Sequence, residues 1–526
     1  DDYFAAGGSV KGLEQVFSTR PPRLTSTEDA WTDARLAETM AGELLDGAYL
    51  WAAGLDWLAY DGRRYEPVHE VTVLEAVRVW VLAKFAEAAQ DLKEGKDGAA
   101  AAVDGWKALL SANRAKTVLS LARGVVESRA SDFDADPDLL NTPAGVVHLP
   151  SGEVMPHSAE LLLTKITAGS YRPGYTHPDW DRALTVLPPE TSRWMQVRIG
   201  QAITGHTTPD GIVPILKGGG ENGKGLLLTD GVIPALGGYA SAASPKLLTG
   251  GKNEHSTEMA DLRGQRLVIA EELTEGRSIN VTDLKRIADV GRIKARLIRK
   301  DNIEFDTSHS LFATTNYQPI ISETDHGTWR RLAMVIFPYT YVKPGQPLET
   351  DTDRRGDPTL KARIKASKGG QHDAAVTWAV EGAMAWYANM REIEAGAEVA
   401  SVLLPPEEVA EATRAWRREA DRVLGFWDAH LDPDPMGIVS ATEITESFNR
   451  WLFDAGHTVW SRETFNARFR DHQETKRHRV TRRDRVRLST LPGTLSRGAS
   501  HNALRAVPER MDVWIGVKFR KDENSL

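Results

Sequence analysis

"ILKGGGENGKGLLLTD", residues 215–230, decides how the rest of the chain is read. Gly218, Gly223 and Lys224 have the G-x-x-x-x-G-K spacing of a phosphate-binding loop. In such a loop the backbone N–H groups of a tight glycine turn point at phosphate oxygens, and the lysine neutralises them. Gly218, Gly219, Gly220, Glu221, Asn222, Gly223, Lys224 and Gly225 are therefore the candidate nucleotide-binding residues. One feature breaks the pattern. The position after the lysine normally carries a Ser or Thr hydroxyl for Mg²⁺, and here it is Gly225. With 44 glycines in the chain, a chance glycine-rich turn is the competing explanation.

The surroundings favour a nucleotide site. "GIVPILKG" (211–218), "RLVIAEEL" (266–273), "HSLFATTN" (309–316) and "LAMVIFPY" (332–339) are short apolar runs of the length and spacing of buried parallel strands. "LLLTDGVIPAL" (226–236) reads as a short helix after the loop. A buried strand ending in two acids puts Glu271 beside Mg²⁺ and Glu272 beside an attacking water. The bland alternative is an acidic helix start. Asn316 ends another strand, where it can sense the nucleotide's terminal phosphate or simply cap a turn. Arg330 and Arg331 precede the last strand, where an arginine can reach a neighbouring subunit's nucleotide or merely pair on the surface.

Four motifs in this order identify a resemblance. Residues 190–340 resemble a superfamily 3 helicase of the viral, phage and plasmid primase-helicase type, related to the poxvirus primase-helicase. The stretch "LKRIADVGRIKARLIRKDNIEF" (284–305) is similar to this superfamily's extra motif, including Lys285, Asp289 and Arg296. The resemblance implies an AAA+-like P-loop ATPase that binds ATP and Mg²⁺, with Glu271 on the metal, and works as a hexameric ring. It also implies 3′ to 5′ unwinding, with a hairpin around Arg299 and Lys300 gripping single-stranded DNA in the channel.

The flanks fit that organisation. Residues 1–190 carry helical periodicity in "DARLAETMAGELL" and "TVLEAVRVWVLAKFAEAAQDL", and hairpin signals in "LDWLAYDGRRYEPV" and "LLNTPAGVVHLPSGEVMP". They resemble the family's helicase-associated N-terminal region. The ATPase is expected over 191–345, and a linker with helices over 346–430. The tail, 431–526, reads as a helix-helix-hairpin unit and resembles a winged-helix DNA-binding module. Its basic run "KRHRVTRRDRVR" (476–487) offers Lys476, Arg477 and Arg479 to DNA, with Arg468 and Arg470 nearby. "DFDADPD" (132–138) imitates the paired acids of a primase, but falls inside the helicase-associated stretch.

Composition sets the outer limits. A chain of 526 residues suggests three or four domains at ~150 residues each. The absence of cysteine excludes disulfides, thiolate metal sites and a cysteine nucleophile. A net charge of −8 argues against general DNA coating, so DNA contacts must come from local basic clusters. No apolar run is long enough to span a bilayer, and the acidic start lacks the order of a signal peptide. The expected setting is a cytoplasm, and Ala-, Arg- and Gly-rich usage points to that of a bacterial host. The chain starts without Met, which suits a fragment or a processed form. Expected partners are single-stranded and forked DNA, copies of the chain itself, and a separate primase or polymerase. Two rival readings stay open: a weakly hydrolysing, ATP-dependent origin-binding scaffold or loader, and a primase-helicase whose priming site is unrecognised or missing.

Overall fold

The computed structural model describes residues 31–250, 256–273, 275, 277–288, 291–296, 302–321, 326–396, 403–498 and 507–520. The fold is mixed α/β, and its centre is a five-stranded parallel sheet. The strands are β1 (Val213–Lys217), β2 (Ala240–Ala243), β3 (Leu267–Ala270), β4 (Ser310–Thr315) and β5 (Leu332–Ile336), in the order β5-β1-β4-β3-β2. Four of them are the apolar runs expected from the sequence. β2, "ASAA", lacks the branched side chains that mark a strand.

Both faces of this sheet are covered, which is why its strands are continuous apolar runs rather than alternating ones. Leu216, Leu267, Ile269, Phe312 and Val335 face one core, with Trp194, Ile199, Val380 and Ala383 from the helices Pro189–Ala202 and Gln371–Glu394. Ile215, Val268, Leu311 and Met334 face the other, with Leu284 and Trp416. Register then fixes the functional edge. Thr315 of β4 lies opposite Lys217 of β1, and Ala313 lies opposite Ala270 of β3. The loops leaving β1, β3 and β4 therefore share the carboxyl edge of the sheet, where ligands of open α/β sheets bind.

Between β3 and β4 the chain forms the helix Val281–Ala288 and an antiparallel strand pair, Arg292–Arg296 with Asn302–Asp306. The turn joining the pair, with Arg299 and Lys300, lies outside the described residues, as does the side chain of Arg296.

The chain divides into two compact units, Asp1–Ala135 with His157–Thr164, and Asp136–Pro156 with Lys165–Leu526. In the first, Asp56–Tyr60 and Tyr65–Val68 form the hairpin expected at Asp61-Gly62. Asp61 accepts from the amides of Arg63 and Arg64 at 2.7 and 2.8 Å, and Gly62 has φ 94°, a conformation that favours glycine. Val73, Val77 and Val81 recur at a four-residue spacing along the helix Glu70–Lys93 and are buried with Leu36, Met40 and Trp57. The second expected hairpin is a three-stranded meander, Leu139–Thr142, Gly145–His148 and Glu153–Met155, in the larger unit.

The C-terminal part runs helix Arg422–His430, strand Leu431–Ser440, helices Ala441–Asp454 and Arg462–Asp471, then strands Thr481–Arg487 and Arg510–Phe519. The two expected helices are present, but the hairpin becomes part of a four-stranded sheet, ordered Thr481–Arg487, Arg510–Phe519, Leu431–Ser440, Thr494–Ser496. Leu431–Ser440 carries Pro433 and Pro435, and its pairing register shifts between Pro433 and Ile438. Proline cannot donate to a ladder, so such a segment does not read as a strand.

Candidate functional site at the carboxyl edge of the parallel sheet

The glycine loop follows β1 and leads into helical chain from Lys224 to Leu236, with a π-helical turn at Leu228–Val232. Its glycines are not equivalent. A Cβ on Gly218 would lie 2.0 Å from the Asn222 side chain, and one on Gly223 would lie 2.3 Å from Val186. Gly223 also has φ 81°, so both the close approach and the turn demand glycine there. Gly219, Gly220 and Gly225 face open space. Asn222, which is buried, staples the loop: its Oδ1 accepts from the Lys224 amide at 3.1 Å and its Nδ2 donates to the Gly219 carbonyl. Glu221, at the tip, has φ 57° and accepts from the Tyr341 amide through its carbonyl at 2.7 Å.

Lys224 reaches across to the end of β4. Its Nζ donates to the Thr315 carbonyl at 2.7 Å, to Asn316 Oδ1 at 2.9 Å and more distantly to the Gly218 carbonyl at 3.4 Å. Burial pushes the Lys224 ammonium below the usual lysine range, and the nearby charge of Glu272 opposes that. Glu272 has φ 53°, a costly conformation for a residue with a side chain, and its amide donates to Thr314 Oγ1 at 2.9 Å. Glu271 Oε1 accepts from Thr229 Oγ1 at 2.8 Å. The structure thus gathers Lys224, Glu271, Glu272 and Asn316 at one edge.

The two arginines are separated by their surroundings. Arg330 is exposed. Arg331 is buried, donates to the Gly327 carbonyl, and its own carbonyl accepts from Val213 at 2.6 Å. Lys476, Arg477 and Arg479 are exposed in the C-terminal part, whereas Arg468 lies over the Trp460 ring at 4.7 Å.

Sequence reasoning missed a cavity of about 890 Å³ beside the loop, reaching Glu221 and Gly223. Val186, Leu187, Pro189, Leu226, Tyr339 and Tyr341 give it an apolar wall. A cleft of this size with an apolar wall and two tyrosines suits a flat heterocycle, and Arg182, Arg354, Arg355, Asp357 and Lys361 also line it. Its sequence signal is weak: "VLPP" (186–189), at the start of the helix Pro189–Ala202, and the tyrosines after β5 lie far apart in the chain.

The acids of "DFDADPD" are engaged elsewhere. Asp134 accepts from the Thr164 amide at 2.9 Å, and Asp138 binds His206 at 2.7 Å and the Tyr387 hydroxyl. Among the described residues no cluster of three His, Cys, Asp or Glu could hold a metal, and no helix is long and apolar enough to cross a membrane.

The model of a family described as "D5 N terminal like" matches residues 38–187, and that of a family of unknown function (DUF5906) matches residues 216–331. A protein of African swine fever virus named "Putative primase" is 27% identical over 238 residues, 42% of this chain and 24% of its own length. A "Putative helicase" of Frog virus 3 is 28% identical over 284 residues, 51% of this chain and 27% of its own. The chain spans about a quarter of the length of these relatives. A solved structure, the A form apo structure of the NrS-1 C-terminal region, is similar over 92% of this chain and 99% of its own, at 10% identity and TM-score 0.46. The chain is thus similar to viral proteins named as a putative primase and a putative helicase.

Proposed function

We propose that this chain is the ATPase and DNA-translocating part of a ring-forming superfamily 3 helicase that works in phage or plasmid DNA replication. The observation that carries the reading is the bond from Lys224 Nζ to Asn316 Oδ1, 2.9 Å, across adjacent strand ends. β4 lies between the loop strand and the acid strand, so Asn316 stands between Lys224 and the acids. That is the placement a residue needs to respond to the terminal phosphate.

In this reading the loop amides and Lys224 cradle the phosphates of ATP, and the base lodges in the cavity walled by Val186, Tyr339 and Tyr341. Mg²⁺, held through Glu271, neutralises charge on the phosphate oxygens. Glu272 orients and polarises the attacking water. The exposed Arg330 completes the site of the next subunit. The AAA+-like assignment is supported by the parallel sheet with its loop, acids and Asn on one edge. The winged-helix assignment is supported by residues 422–519, where the helices Arg422–His430, Ala441–Asp454, Arg462–Asp471 and Gln473–Arg477 accompany the four-stranded sheet. In the same reading Arg296, Arg299 and Lys300 meet single-stranded DNA, where basic groups bind phosphates without reading sequence, and the antiparallel pairing of Arg292–Arg296 with Asn302–Asp306 supports a hairpin in this stretch.

Strand separation on forked DNA with a 3′ or a 5′ tail tests the proposal. ATP-dependent unwinding is expected only with the 3′ tail. Hydrolysis and DNA binding without strand separation would instead support the loader reading, which Gly225 favours. A chain that binds no ATP would sink both.

A further inference from the structure

Gly225 stands where a phosphate-binding loop normally offers a hydroxyl. The backbone does not require glycine there: its φ is outside the left-handed region, and a Cβ would meet nothing within 4 Å. One turn further along the same helical stretch is Thr229. Residues four apart share a helix face, and both Gly225 and Thr229 are exposed on theirs. Thr229 Oγ1 donates to Glu271 Oε1 at 2.8 Å, although the two residues are 42 apart in sequence. Among the described residues nothing bonds the other carboxylate oxygen of Glu271, Oε2.

We propose that Thr229 is a positioning residue that supplies the hydroxyl the loop lacks. By holding Oε1 it fixes the rotamer of Glu271, so that Oε2 is presented to a divalent cation bound with the nucleotide. Thr229 and Glu271 together form the protein's half of that cation's surroundings. Mg²⁺ is reluctant to shed its water and usually needs only one or two protein carboxylates besides substrate phosphates, so this pair is sufficient. An unrestrained glutamate would have to order its side chain on each binding event, and the threonine removes most of that cost. The inference rests on the nucleotide-site reading above and adds a residue to it.

The test uses the full chain, a non-hydrolysable ATP analogue and Mn²⁺, whose binding is followed by electron paramagnetic resonance. Thr229→Val removes the hydroxyl at nearly constant volume. It should weaken Mn²⁺ binding to the analogue complex about ten-fold, the scale of losing a group that orients a metal ligand. Analogue affinity measured in excess chelator should stay at the parental value. Thr229→Ser should retain Mn²⁺ affinity. Adding Gly225→Ser to Thr229→Val should restore much of it, because the loop then provides its own hydroxyl. A threonine that only braced the helix would leave Mn²⁺ affinity at the parental value in Thr229→Val. Parental Mn²⁺ affinity in Thr229→Val, or no gain from the added serine, would overturn the inference while leaving the nucleotide site in place. A parental chain that binds no analogue would overturn the nucleotide-site reading itself.

Discussion

The carboxyl edge of the parallel sheet and the basic strand Thr481–Arg487 both concentrate charge, but they do so in different ways. At the sheet edge, Lys224, Glu271, Glu272 and Asn316 come from three separate loops. Lys224 alone holds two carbonyls and Asn316, and burial lowers its pKa. On the basic strand, Arg482, Arg483, Arg485 and Arg487 are near neighbours in sequence. They lie along an exposed sheet edge, where Arg482 meets Asp484 and Asp512 and Arg487 meets Glu509. Convergent charge in a partly buried place is worth more per group than dispersed charge in water, because solvent screens the second far better. Single substitutions should therefore be severe at the first region and modest and additive at the second.

The sharpest break in that contrast would come from Arg330. Arg330→Ala should lower ATP hydrolysis by about 10³-fold while leaving analogue binding intact. Mixing it with Lys224→Ala should recover some activity, since an intact arginine then meets an intact loop. Parental hydrolysis in Arg330→Ala would remove the shared site. Arg331→Ala is expected to lower the melting temperature instead, because it leaves the Gly327 carbonyl without its buried donor.

Next in size is Glu272→Gln, which should cost about 10²-fold in turnover and little in nucleotide binding. A variant that turns over ATP at the parental rate on single-stranded DNA would show that Glu272 is not the base, despite its φ of 53°.

His309, buried just before β4, sharpens the comparison through pH. Burial pushes its imidazole down to about 4, so it stays neutral in the fold while the unfolded chain takes up a proton below about 6.5. Its contribution is therefore complete above about pH 6.5 and is lost as pH falls toward 4, by up to about 3 kcal/mol. Urea midpoints should drop over that window in the parent and be flatter in His309→Phe. Parallel curves would assign the acid loss to other groups.

The smallest effects belong to the tail. Lys476→Ala and Arg477→Ala should each lower the logarithmic salt dependence of duplex binding by about 1, additively. A collapse of binding on either single change would mean that the C-terminal basic residues act as one convergent site after all.

Much of the candidate site was legible because its parts are strand ends. "LVIAEE" and "LFATTN" announce a buried strand and its polar terminus in six residues each. The glycine spacing announces the loop, and the Asp61-Gly62 turn announces its hairpin for similarly local reasons. β2 escaped because Ala and Ser carry little strand preference, and its place beside β3 is set by pairing alone. Leu431–Ser440 escaped because its prolines deny the ladder locally while Arg510–Phe519 pairs with it from far along the chain.

By itself the sequence determined the four apolar strands, the loop and the acids that follow them, since each is written in consecutive residues. Only the tertiary structure decided that Arg330 is exposed and Arg331 buried, that an apolar cavity adjoins the loop, and that Thr229 touches Glu271. The physical reason is range. Periodicity reports which way a side chain faces within one element, whereas these contacts join residues dozens of positions apart, and they exist only once parallel pairing has fixed the register of β1, β3 and β4.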